Sequence, residues 1–135
     1  MKFSNDPSLL STLNIDGFFV GWLNPPSNVT FKKILCKSQH VVLAIENEKL
    51  VGFINAISDG TLSAYIPLLE VLPNYKGQGI GTELVERMKS ELKNYYMIDL
   101  SCDDDVVAFY EKLRFRKNNS MYLRNYTNQS GHKSS

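Results

Sequence analysis

Two hydrophobic periods alternate along this chain. From Val41 to Gly60, "VVLAIENEKLVGFINAISDG", two β-branched apolar runs flank the polar Glu46-Asn47-Glu48-Lys49, the pattern of a hairpin ending at Asp59-Gly60. The next run, "LSAYIPLLEV", is again strand-like. Pro67 inside it has no N–H to give a ladder, so this strand is expected to be bulged or unpaired on one side there. From Gly79 the period changes: Ile80, Leu84, Val85, Met88 and Leu92 recur at three- and four-residue spacing, one buried face of a helix. "YYMIDLSC" reads as a strand, "VVAFYEKL" as a helix and "MYLRNY" as a final strand. Before residue 40 the spacing is helical but broken. "IDGFFVGW" predicts one helix, Asn24-Pro25-Pro26-Ser27 stops it, and "VTFKKILCKS" predicts another.

The predicted order is helix, helix, three strands, helix, strand, helix, strand, a mixed α/β order in which an antiparallel meander precedes a crossover. At 135 residues the chain has the size of one domain. No repeat or linker interrupts it, so one domain is expected over residues 1–126, followed by a disordered tail, 127–135, where the sequence turns polar and aperiodic. Fifteen Lys and Arg against fourteen Asp and Glu give a formal charge of +1, which offers no electrostatic case for nucleic acid or an anionic membrane. Cys36 and Cys102 lie in separate segments without metal-ligand spacing, which argues against a zinc site or a disulfide framework. With no apolar run long enough for a span and no signal-peptide pattern, a soluble cytoplasmic protein is expected.

The chemistry gathers at "EVLPNYKGQGIGTELVERM", Glu70 to Met88. Glycines at alternate positions between a strand and a helix leave backbone N–H groups unobstructed at the positive end of a helix dipole, and such a turn suits phosphate. Gly77, Gly79 and Gly81 follow G-x-G-x-G, so neither the dinucleotide fingerprint nor the P-loop fits. A plain tight turn into a helix would also use glycine. The acidic Asp103-Asp104-Asp105 at the next helix start is explained by the macrodipole alone.

"VLPNYKGQGIGTELV" resembles the acetyl-coenzyme A pyrophosphate loop of the GNAT acyltransferase superfamily, [QR]-x-x-G-x-[GA], with Lys76, Gly79 and Gly81 in its positions. About thirty residues later "DDDVVAFYEKLRF" resembles the superfamily's A-x-x-F-Y-x-x-x-G-F helix, with Phe109, Tyr110 and Phe115 in register. The resemblance covers roughly residues 41 to 126. It implies a GNAT fold, a twisted, mostly antiparallel mixed sheet flanked by about four helices, in which two strands splay to admit acetyl-CoA. The pantetheine arm would then lie along the backbone of Leu69 and Val71, and the segment Gly77, Gln78, Gly79, Ile80, Gly81 and Thr82 would hold the pyrophosphate with Lys76 beside it. Tyr110 would protonate the departing thiolate, and backbone N–H near Val71 would polarise the acetyl carbonyl. Glu70 is the nearest carboxylate to act as base, although strand alternation sets it opposite to Leu69 and Val71 and a water chain is the other route; Tyr65 would order such a water. No metal is implied.

Three positions depart from the pattern. Lys76 keeps a charge but lacks a planar fork for phosphate. Arg114 stands where glycine is usual and should cost on the order of 1 kcal/mol if the backbone there is left-handed. Asp103 replaces an asparagine that donates to the pantetheine, and an ionised carboxylate cannot donate. Cys102 is expected to be a buried structural residue rather than a nucleophile, Phe18 and Trp22 core residues, Trp22 with Asn24 alternatively part of the acceptor wall, His40 a turn residue and His132 exposed. The expected function is acetyl transfer from acetyl-CoA to a small-molecule amine, with peptide amines open and a homodimer compatible. A non-catalytic acyl-CoA-binding module is the alternative.

Overall fold

The structure is a computed structural model and describes residues 1–132. Five strands, β1 (Lys2–Ser4), β2 (His40–Glu46), β3 (Lys49–Ser58), β4 (Ser63–Val71) and β5 (Met97–Leu100), form one sheet in chain order. The first four are antiparallel and β5 runs parallel to β4, joined by the crossover helix α2 (Ile80–Glu91). Helices α1 (Asn28–Lys37) and α3 (Val107–Lys112) complete the regular α structure. The mixed α/β class read from the sequence holds.

Alternation along the strands, shifted by one at Val51 where the β2–β3 ladder is irregular, builds two cores. Val42, Ala44, Val51 and Ile54 pack with Leu84, Val85, Met88 and Leu92 of α2. Leu43, Leu50 and Phe53 pack on the other face with Phe31 and Leu35 of α1 and with Leu10, Ile15 and Phe19. Burying side chains of this size on two sheet faces is the dominant favourable contribution to folding. The β2–β3 hairpin closes in two residues, Asn47 and Glu48, both at positive φ (52° and 61°), the backbone that matches strand twist.

β4 carries the irregularity foreseen at Pro67. Ile57 pairs with Tyr65 and Asn55 with Leu68, so one β3 residue, Ala56, faces two of β4, Ile66 and Pro67. This bulge shifts the alternation by one. Ala64 and Ile66 point to the α2 side before it, Leu69 and Val71 do so after it, and Leu68 packs on the α1 side. Pairing with β5 ends at the same place, at Ile66↔Leu100.

Three expectations are corrected. Residues 15–22 form no helix: Gly17, Phe19 and Gly21 all adopt positive φ (98°, 61° and 84°), and the apolar side chains seat Phe19 in a core instead of lining a helix face. A strand at β1 and a 3-10 helix at Pro7–Thr12 stand before this loop, too short to leave a period in the sequence. "MYLRNY" is not a strand, because none of the described residues pairs with it; among them the only backbone acceptor for an N–H within 116–125 is Asn118 O, 3.2 Å from Ser120 N. Met121, Tyr122 and Leu123 are exposed there. Beyond it, Tyr126–Asn128 make a 3-10 turn and Gln129 Oε1 accepts the Asn24 N–H at 2.9 Å, so part of the segment read as a disordered tail is docked; residues 133–135 lie outside the described residues.

Helix α3 ends in a Schellman motif. Phe115 N–H donates to Tyr110 O at 3.1 Å and Arg114 N–H to Glu111 O at 3.0 Å, while the Phe115 ring lies 5.7 Å from that of Tyr110. The motif requires a left-handed residue, and Arg114 supplies it at φ 73°. Replacing Arg114 by Gly should therefore raise stability by about 1 kcal/mol in urea unfolding, with the slope unchanged.

Candidate active site

Past Ile66, β4 keeps a hydrogen-bonded partner on one side only, β3, through Leu69↔Ile54 and Val71↔Gly52. The other side of Leu68–Val71 opens where β5 has left. Pro67, at the point of departure, has no N–H to leave unsatisfied. The opened segment leads through Leu72 and a 3-10 turn, Pro73–Tyr75, into the glycine turn.

Gly77 (φ 79°) and Gly79 (φ 83°) are left-handed, and a Cβ at either would meet nothing within 4 Å, so conformation rather than crowding calls for glycine there. Gly79 is the N-cap of α2, and the first helical amide with an acceptor is Glu83 N–H, to Gly79 O at 3.1 Å. The N–H groups of Gly77, Gln78, Gly79, Ile80, Gly81 and Thr82 meet no acceptor among the described residues. Such amides at a positive helix terminus fit an anionic group of phosphate chemistry. Exposed Lys76 adds one cation beside them.

Gly81 joins the site's elements. A Cβ there would lie 3.6 Å from Phe109 Cζ and 3.9 Å from Val71 Cγ2, so the start of α2, the end of β4 and α3 converge on it. Leu69, Val71, Phe109, Tyr110 and Phe115 all pack against the core cluster that contains Ile80. Burial, and then the Cys102 thiol nearby, pushes the Tyr110 phenol up to about 12. The phenol thus keeps its proton across neutral pH.

Glu70 lies on the other face of β4. Its Oε1 accepts the Phe19 N–H at 2.9 Å and its Oε2 the Val20 N–H at 3.3 Å. Nothing in the sequence signalled these contacts. Asp103 is exposed and caps the following 3-10 turn with its backbone carbonyl, which accepts from Val106 N–H at 3.1 Å, while its carboxylate makes no cap bond. Cys102 is exposed, not buried as expected, because β5 has ended before it. Partial desolvation and the carboxylates of Asp103, Asp104 and Asp105 push its thiol up, which disfavours the thiolate. Phe18 is half-buried in the aromatic cluster, but Trp22 is 37% exposed at the loop tip. His40 begins β2 and its Nε2 lies 3.1 Å from the Tyr95 hydroxyl, so it is no turn residue; His132 is exposed. Tyr65 is exposed before the bulge. No group of three or more His, Cys, Asp or Glu among the described residues is gathered to hold a metal, and no described helix is long and apolar enough to cross a membrane.

A family model described as an acetyltransferase (GNAT) domain matches residues 19–128. The chain belongs to the GNAT acetyltransferase family. Its fold is similar to the crystal structure of a candidate acetyltransferase from Deinococcus radiodurans R1, with a TM-score of 0.88 and 45% identity over 98% of this chain and 94% of that one. Among curated relatives, an uncharacterized N-acetyltransferase ycf52 of Pyropia yezoensis is 32% identical over 105 residues, 73% of this chain and 59% of that protein. The N-alpha-acetyltransferase 30 of Schizosaccharomyces pombe is 30% identical over 95 residues, 64% of this chain and 63% of that protein. The GNAT chain thus spans less than two thirds of the length of these curated relatives.

The phenol's environment gives a measurable pH signature. A folded-state value of about 12 against about 10 unfolded means that between these values the unfolded chain binds fewer protons, so stability falls as pH rises through that window. In an absorbance titration of tyrosinate, Tyr110→Phe should delete a phenol that titrates at about 12. Loss of a phenol that titrates near 10 would contradict the burial described.

Proposed function

We propose that this GNAT domain transfers the acetyl group of acetyl-CoA to a primary amine by direct attack. The observation that carries it is the convergence at Gly81: open amides at the start of α2, the unpaired side of β4 and the Tyr110 helix meet at one point. The amides of residues 77–82, with Lys76, hold the pyrophosphate. The backbone of Leu69 and Val71 offers the pantetheine an edge like that of a further strand, and an N–H near Val71 faces the acetyl oxygen. Asp103 stays outside this set unless its carboxyl takes up a proton, since the carboxylate can only accept. The amine nitrogen forms its bond to the acetyl carbon as the carbon–sulfur bond breaks, and Tyr110 gives its phenolic proton to the leaving sulfur. The ammonium first loses a proton, to Glu70 or to a water chain.

A small-molecule amine is the favoured acceptor, since the one carboxylate on the opened end of β4, Glu70, is already engaged by the Phe19 and Val20 amides and is not free to bind a basic peptide. The name of the fission-yeast relative keeps a peptide N-terminus as the second class. A homodimer belongs to the same reading. The outer edge of β5 and the extended segment 116–125 are both unpaired, and a cavity of about 250 Å³ lined by Leu100, Cys102, Tyr110, Phe115 and Tyr122 lies between them. Asp99 and Asp104 line this cavity together with Arg116 and Lys117, Asp103 and Asp104 line a neighbouring one with Arg124, and no ion pair joins these groups among the described residues, so a second copy could pair them twice over.

The test combines thermal unfolding with thiol release over a panel of amines. Acetyl-CoA at about a hundred times its dissociation constant should add roughly 2.7 kcal/mol of stability. Tyr110→Phe should retain that stabilisation and lose on the order of a hundredfold or more in turnover. Stabilisation with no release on any amine would favour a non-catalytic binding module, and no stabilisation would remove the cofactor. Light scattering on the same samples should give the mass of two chains; one chain would remove the dimer.

A further inference from the structure

The bulge in β4 decides where Glu70 points. Having shifted the alternation, it sends Leu69 and Val71 to the α2 side and Glu70 to the face of Phe18, Phe31 and Phe53. There the carboxylate meets the loop between the first 3-10 helix and α1. Oε1 takes the Phe19 N–H at 2.9 Å and Oε2 the Val20 N–H at 3.3 Å, so both oxygens are engaged by successive amides. These are the only hydrogen bonds from residues 15–23 to the sheet among the described residues.

The loop depends on them. Phe19 sits at φ 61° between Gly17 and Gly21, both left-handed, and a bulky residue holds that conformation only where its surroundings over-determine it. One constraint is its ring, buried 5.0 Å from Phe31 and 4.8 Å from Trp22. The other is Glu70, since consecutive N–H groups at a left-handed turn form a concavity suited to an anion. The two ends of the loop are tied separately, by Asn28 Nδ2 to Asp16 Oδ1 at 2.7 Å and by Asn24 N–H to Gln129. Between them Val20, Trp22 and Leu23 stand 61%, 37% and 92% exposed, an apolar rim on the middle that Glu70 holds.

We propose that Glu70 is a positioning residue that fixes the loop from Gly17 to Asn24 as a wall of the acceptor site, and that the ammonium's proton leaves by water. A proton arriving on either oxygen would remove the charge that strengthens its bond to the loop, so proton removal and loop placement draw on the same two atoms. A carboxylate anchoring the wall serves the reaction through the two oxygens that hold the loop. The proposal deepens the transferase reading and rests on it for its kinetic arm only.

Amide hydrogen exchange read by NMR, together with steady-state kinetics, on Glu70→Gln and Glu70→Ala tests it. Gln keeps one acceptor oxygen and Ala none. Exchange at Phe19 and Val20 should speed up about tenfold or more in Glu70→Ala and less in Glu70→Gln, in line with loss of charge-assisted hydrogen bonds. KM for the amine should rise by a similar factor in Glu70→Ala and be partly restored in Glu70→Gln, while the shape of the kcat pH profile persists. Unchanged exchange in Glu70→Ala overturns the proposal. So does an equal fall of about a hundredfold in kcat in both variants with loss of the profile's acid limb, the signature of a general base. Stabilisation by acetyl-CoA, measured on wild type and both variants, reports separately on the transferase reading: its absence with the exchange result intact would overturn that reading and leave Glu70 as the loop's anchor.

Discussion

One extra residue in β4 organises this molecule. Because Ala56 faces both Ile66 and Pro67, the strand bends, the alternation shifts and pairing with β5 stops. A regular strand would have kept Leu68 and Glu70 on the α2 side and carried β5 alongside to the end, closing the edge at Leu69 and Val71. The cost of a bulge is one disrupted step in a ladder. Proline lowers it further, since the residue at the break has no donor to lose.

Two consequences diverge from that point. On the α2 side, Val71 is brought against Gly81 and Phe109, and the open helix start lies next to the open strand edge. On the α1 side, Glu70 is delivered to the loop in which Phe19 is left-handed, and its carboxylate accepts the Phe19 N–H. The proposed site thus draws its open amides and the Tyr110 phenol from one core, and the loop proposed as its acceptor wall from the other. Tyr110 is held by a helix end that accepts Arg114 in a glycine's conformation and uses Phe115 as its packing lock.

What could be read from the sequence was local. Pro67, the change of period at Gly79 and the alternating glycines each report a backbone requirement within a few residues, and each holds in the structure. The segment 15–22 misled because an apolar spacing of three and four residues serves equally a helix and a loop that buries one phenylalanine; its two glycines were the only hint. "MYLRNY" has a strand's composition, but a strand exists only with a neighbour, and composition names none. Cys102 was read as buried from a strand that ends two residues earlier. The contacts of Glu70 span 51 residues and rest on two backbone amides, which carry no side-chain signature.

If the opened side of β4 and the amides of residues 77–82 form one cofactor site, one ligand must report on both. Titrating the isotopically labelled protein with coenzyme A and following its amide resonances tests this directly. Leu69, Val71 and Gly77 to Thr82 should shift together along one binding curve, ahead of residues on β1 and α1. Shifts confined to other surfaces, or shifts of the glycine turn that leave Leu69 and Val71 unmoved at saturation, would contradict it.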